Sequence, residues 1–160
     1  MRVPLIARYP GFLPAGVPCD AFSTHALDLA VTFCAAAGLE PPASFAGRDL
    51  IDAARGTGAS PRDAVYGMWH GGQLGSYTQR MVRTRRWKYI YNLSAEDELY
   101  DLEDDPAERV NRAYDSSCTA VLRERRAQLA AWMESVEDPM LNAWTRAELL
   151  ENLKDAAPKQ

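Results

Sequence analysis

The 160-residue chain is poor in the residues from which metal and redox sites are usually built, with two histidines and three cysteines. Cys19, Cys34 and Cys118 stand far apart, form no CxxC pair and have no paired histidines at ligand spacing. Neither a zinc site nor a disulfide framework is expected from that pattern. No apolar run approaches the roughly 20 residues needed to cross a bilayer as a helix, so no membrane association is expected. The opening MRVPLIARYPG has a short apolar stretch interrupted by Pro4 and Pro10. It lacks the long apolar core of a secretory signal, and as it stands the sequence reads as cytoplasmic. No basic block stands apart from acidic neighbours and the net charge is -4 with a pI near 5.2, which argues against a surface that tracks nucleic-acid phosphates.

What the chain does have is 47% apolar and 25% charged residues, the profile of one soluble globular domain or two small ones. Val3, Leu5, Ile6 and Ala7 make a nearly continuous apolar run, the pattern of a strand covered on both faces. Nothing else in the first 60 residues reads as its partner, so its neighbours come from much later or from outside the chain. After the loop YPGFLPAGVPCD, the segment FSTHALDLAVTFCAAAGLEPP predicts a helix capped by Ser23 or Thr24 and stopped by Gly38. Phe22, Ala26, Leu29, Phe33 and Ala37 recur at helical spacing with Leu27, Val31 and Cys34 beside them, so this helix is expected to be mostly buried. Thr24, Asp28 and Thr32 form its polar stripe. With no base or nucleophile nearby, Asp28 is expected to cap or pair locally. FAGRDLIDAARG reads as a short turn and helix, and TGASPRD as a flexible link. A soft subdomain boundary is therefore expected between residues 1–60 and 61–160.

Beyond the link the pattern becomes extended. DAVYGMWH, YTQRMVRT, WKYIYN and ELYDL are rich in aromatic, β-branched or alternating residues and predict four short antiparallel strands, with a tight turn at Thr84-Arg85-Arg86. TAVLRERRAQLAAWMESVED predicts a covering helix with Leu122, Leu129, Met133 and Val136 facing the sheet. NAWTRAELLENLKDAAPKQ predicts a short helix that frays into a polar tail. The fold class is α/β, or α+β as the chain stands.

RVPLIARYPG, STHALDLAVTFCAAAGLEPPASFAGRDL, QRMVRTRRWKYIYN and DELYDLEDDPAERVN, in that order, resemble the C-terminal part of a sulfatase of the alkaline phosphatase superfamily. The resemblance covers nearly the whole chain. It implies that the first strand and helix close a large central sheet and that a small antiparallel sheet with a packing helix follows. The family's nucleophile motif, C-x-P-S-R or S-x-P-S-R, is absent: none of the three cysteines has Pro two residues on and Arg four residues on. Val31 also stands before Thr32 where the family usually has Pro. In a complete member a formylglycine and a divalent cation such as calcium do the chemistry on a sulfate ester substrate. Their residues precede the first strand, so no catalytic or metal-ligating residue carries over to this chain. The same superfamily includes phosphodiesterases and phosphonate monoester hydrolases.

DELYDLEDDPAERVN is acid-rich but lacks the alternating oxygens, the Gly and the final bidentate Glu of a calcium loop. It reads as a strand, a turn in which Asp caps the backbone, and a helix start at Pro106-Ala107-Glu108. His25, at a helix start, is expected to be structural or solvent-facing. The resemblance puts the Gly-rich stretch GMWHGGQLGSY near the rim of a substrate cleft, which makes Trp69, His70 and Gln73 the candidate substrate-binding residues. Arg80, Arg83, Arg85, Arg86 and Lys88 are expected to form a solvated face paired with Asp97, Glu98, Asp101 and Glu103. The expected function is a fragment of a sulfuric ester hydrolase, inactive alone, whose partner is the missing N-terminal part. The alternatives are a noncatalytic module that binds a partner, or a fragment of a phosphodiesterase or phosphonate monoester hydrolase of the same superfamily; in place of the N-terminal part, the partner could be a second copy of the chain, met through the exposed strand.

Overall fold

The computed structural model describes residues 4–19, 22, 25–55, 62–71 and 78–151. The chain forms two compact units, Met1–Asp63 and Ala64–Gln160. In the first unit, helix α1 (His25–Ala36) is followed by a short helix α2 (Leu50–Arg55). Gly38, at φ 70, ends α1: its amide donates to Ala35 O at 3.0 Å and Leu39 N donates to Cys34 O at 2.9 Å. This is the double closure that a left-handed residue after a helix permits. Ser23 and Thr24, the expected caps, lie outside the described residues, as does the His25 side chain.

The burial of α1 is the reverse of the expected pattern. Among the described residues of this unit only Asp28 and Thr32 are buried, while Phe33 is 67% exposed and Leu27 is also exposed. The cause is a backbone segment that docks on the polar stripe. Arg48 N donates to Asp28 Oδ1 at 2.8 Å and Leu50 N donates to Thr32 Oγ1 at 2.9 Å. One turn of helix thus satisfies two amides that are two residues apart. Asp28 also holds the Arg62 guanidinium through both its oxygens, at 2.5 and 2.6 Å. The approach is close enough to demand glycine at 47, where an added Cβ would lie 2.1 Å from Leu27 O. Pro4 to Tyr9 form no strand, and Ile6 is 92% exposed. No described residue of this unit is in a strand, so the segment has no ladder to join there.

The second unit is a four-stranded antiparallel meander: β1 (Val65–His70), β2 (Thr78–Arg83), β3 (Trp87–Asn92) and β4 (Glu98–Asp101), in spatial order β1-β2-β3-β4. The tight turn at 84–86 closes with Thr84 N donating to Trp87 O at 2.8 Å. Tyr66 pairs with Val82, Val82 with Tyr89 and Tyr89 with Leu99, so one sheet face carries the apolar residues. Helix α3 (Thr119–Ser135) covers that face with Leu122, Leu129, Ala130 and Met133, and α4 (Ala143–Leu150) packs on α3 through Leu149. Tyr66 stacks on Trp132 with ring centroids 4.8 Å apart. Val136, expected on this stripe, is exposed, because α3 ends at Ser135.

Pro106 to Glu108 do not begin a helix. Glu108 has φ 56, and Asp105 Oδ2 accepts from Arg109 N at 2.6 Å and Val110 N at 2.9 Å, which folds the run into a capped turn.

Candidate substrate-binding site

Trp69 and His70 are neighbours on β1, an outer strand of the sheet, so they point to opposite faces. Trp69 pairs with Gln79 and His70 with Thr78. Gln73 lies outside the described residues. A ligand that touches both Trp69 and His70 must therefore wrap the outer edge of β1.

On the face of Trp69, which is 60% exposed, a polar row crosses the sheet. Gln79 Nε2 donates to Asn92 Oδ1 at 2.6 Å, Asn92 Nδ2 donates to Glu98 Oε1 at 3.1 Å, and Tyr100 OH donates to Glu98 Oε2 at 2.7 Å. Burial, with the Glu98 carboxylate beside it, pushes the Tyr100 hydroxyl well above its ordinary range.

On the other face His70 is exposed and its Nε2 lies 3.4 Å from Arg80 Nη2. Arg80 is 1% exposed, which corrects the expectation that it belongs to a solvated face. Its place is set by alternation with Val82, which faces α3. The guanidinium is compensated by Asp138: Nε donates to Oδ2 at 2.5 Å and Nη2 to Oδ1 at 3.0 Å, while Nη1 donates to Gln79 O at 2.9 Å. The end of α3 delivers that carboxylate. Glu137 takes φ 52, with Glu137 N donating to Glu134 O and Asp138 N to Met133 O. This closure has the form seen at Gly38, built without glycine. The Arg80 hydrogen bond holds the Asp138 carboxyl below the usual carboxylate range, against the opposing effect of burial.

The remaining charges inside this unit are structural. Asp97 accepts from Tyr89 OH at 2.7 Å and from Arg126 of α3 at 3.1 Å, all three groups being buried. Tyr91 OH donates to Glu148 of α4. Of the expected pairs Arg86 meets Asp101 at 2.8 Å, whereas Lys88 is buried and pairs with Glu108, and Asp97 is taken by Arg126 and Tyr89, because alternation puts Asp97 on the face that α3 covers. Arg126, Asp138 and Glu148 were not singled out from sequence because their partners are 29, 58 and 57 residues away.

Among the described residues no three His, Cys, Asp or Glu side chains are grouped so as to hold a metal ion. Cys19 is exposed, Cys34 half-buried and Cys118 buried, and none sits in a nucleophile motif. Among the described residues none is therefore placed to hold a divalent cation, and the formylglycine motif is absent from the sequence. Among the described residues no helix is long and apolar enough to cross a membrane.

Comparison with known proteins places this geometry. A family model described as N-sulphoglucosamine sulphohydrolase, C-terminal, matches residues 1–136. A Δ4,5-hexuronate-2-O-sulfatase of Bacteroides thetaiotaomicron is 36% identical over 141 residues, covering 86% of this chain and 29% of the relative. An N-acetylglucosamine-6-O-sulfatase of the same organism is 35% identical over 117 residues, covering 69% of this chain and 21% of the relative. A solved structure in complex with its substrate D-glucosamine-2-N,6-O-disulfate superposes with a TM-score of 0.73 at 28% identity, over 82% of this chain and 28% of that one. The chain thus spans less than a third of the length of these relatives, and it belongs to the C-terminal domain family of the sulfatases, with their alkaline-phosphatase-like fold.

Proposed function

We propose that this chain supplies the closing segment and part of the substrate-cleft rim of a sulfuric ester hydrolase. The nucleophile and the cation ligands belong, in this reading, to a preceding catalytic part. The inverted burial of α1 carries it: a helix that hides Asp28 and Thr32 and displays Leu27 and Phe33 is shaped for an apolar surface to cover it. The unpaired Pro4 to Tyr9 segment offers that same neighbour a strand. The partner is therefore the catalytic core. The sulfated uronate and amino-sugar substrates named for the relatives support a sulfated saccharide as the substrate class. Trp69 at the rim suits the apolar face of a sugar ring, as an aromatic body with a polar tip, and His70 suits its oxygens.

The test is co-expression of the chain with the preceding catalytic part, followed by parallel assays on an aryl sulfate and an aryl phosphate diester. Turnover of the sulfate is expected from the pair and none from the purified chain. Fluorescence of a dye that binds apolar surface is expected to fall when the two parts associate. Metal-dependent turnover by the chain alone, or preferential cleavage of the phosphate diester, would overturn the reading.

A further inference from the structure

A guanidinium donates hydrogen bonds and accepts none, and this constrains His70. Its Nε2 lies 3.4 Å from Arg80 Nη2, so a hydrogen bond between them requires a lone pair on Nε2. An imidazolium, or the neutral ring with its proton on Nε2, would set one N–H against another. In the neutral ring the proton then sits on Nδ1, since the bond made by one ring nitrogen fixes the tautomer at the other. Arg80 is itself held in place by Asp138 and by Gln79 O, and its side chain is 1% exposed. Thr78 is the residue opposite His70 across the ladder, and it carries no charge.

We propose that Arg80 and Asp138 are positioning residues that select the Nδ1–H tautomer of the neutral His70 ring, so that β1 presents a single directed donor to an oxygen of the sulfated sugar. The contact with substrate rests on the rim reading above; the tautomer does not. The Arg80 charge is already compensated by Asp138, so the site offers direction without net attraction. That suits a hydroxyl or a sulfate oxygen whose negative charge is neutralised elsewhere.

The imidazole ¹⁵N resonances of the labelled chain, read above neutral pH, test this directly. The chain has only His25 and His70, and a His25→Gln variant assigns them. His70 is expected to show a protonated Nδ1 and an unprotonated Nε2, and Arg80→Met is expected to shift it towards the Nε2–H form. A majority Nε2–H form in the unaltered chain overturns the proposal, whether or not Arg80→Met folds. In the complete enzyme, His70→Asn keeps an amide donor near the Nδ1 position and His70→Gln moves it towards Nε2. Loss of one hydrogen bond predicts that KM rises about tenfold for His70→Gln and clearly less for His70→Asn. Unchanged KM in both variants overturns the rim reading while leaving the tautomer intact, so the two failures are distinguishable.

Discussion

The two units of this chain put opposite things inside. In the second, Val82, Tyr89, Leu99, Leu129 and Met133 form an apolar core and the buried charges Arg80, Asp97, Arg126 and Asp138 are compensated within the same unit. In the first, the buried described residues are Asp28 and Thr32, while Leu27 and Phe33 are exposed and Leu29, Val31 and Cys34 are half-buried. Burial of apolar area is the main source of stability, so the second unit has its own and the first has little. Among its described residues the first is held in shape by directed hydrogen bonds and the Asp28–Arg62 ion pair, which makes it specific in form but weak in isolation.

The sharpest way to break this contrast is to leave a charge unpaired in the self-sufficient unit. Asp138→Ala strands the Arg80 guanidinium and is expected to cost about 3–5 kcal/mol, seen as a large fall in the melting temperature of the second unit. Acid acts on the same pair more gently. The folded-state Asp138 and Asp101 carboxyls lie below their ordinary values, in each case first through an arginine hydrogen bond. Their contribution is therefore fully present above the unfolded carboxylate value of about 3.9 and is lost as pH falls through the depressed folded values. A melting temperature that is flat above about pH 5 and drops below about pH 4 is the expected profile.

Gly47→Ala attacks the first unit where its backbone segments touch. The new methyl meets the Leu27 carbonyl, and overpacking of about 1–3 kcal/mol is expected to abolish hydrogen-exchange protection at the Arg48 and Leu50 amides while leaving the second unit's melt unchanged. Glu137→Gly should work the other way. Relief of a left-handed φ is worth roughly 1–2 kcal/mol, offset by glycine's greater chain entropy of roughly 0.5–1 kcal/mol. A slightly higher melting temperature for the second unit is expected. The smallest effect is Phe33→Ser, which alters a surface residue in the chain alone and is expected to change stability by no more than about 0.5 kcal/mol. Its consequence is expected in association with the catalytic part, so an unchanged affinity there would remove the support for α1 as the docking face.

The elements were legible because each is written locally. Gly38 ends α1, alternation marks the strands, and Leu122, Leu129 and Met133 identify the covered face of α3. What was hidden was the direction in which α1 faces. Its apolar residues read as inward, since periodicity says which residues share a face and not what lies against it; the contact of 47–50 with Asp28 and Thr32 reversed the sense. At the candidate site, the opposite faces of the Trp69 and His70 side chains followed from the strand reaching His70. The RMV spacing did put Arg80 on the face of Val82, although the charge argued for solvent. Asp138 left no signal, because the helix end that delivers it closes on a glutamate instead of a glycine.

The meander of the second unit also bears on how the polypeptide is made. Each strand pairs with the strand before it in sequence, so the sheet needs only short loops to close, and chains of low contact order fold quickly. Once α4 has left the ribosome, the described core of this unit, from Ala64 to Leu149, is in hand. Folding of this sheet is in this way set by local sequence, each strand finding its partner in its neighbour along the chain.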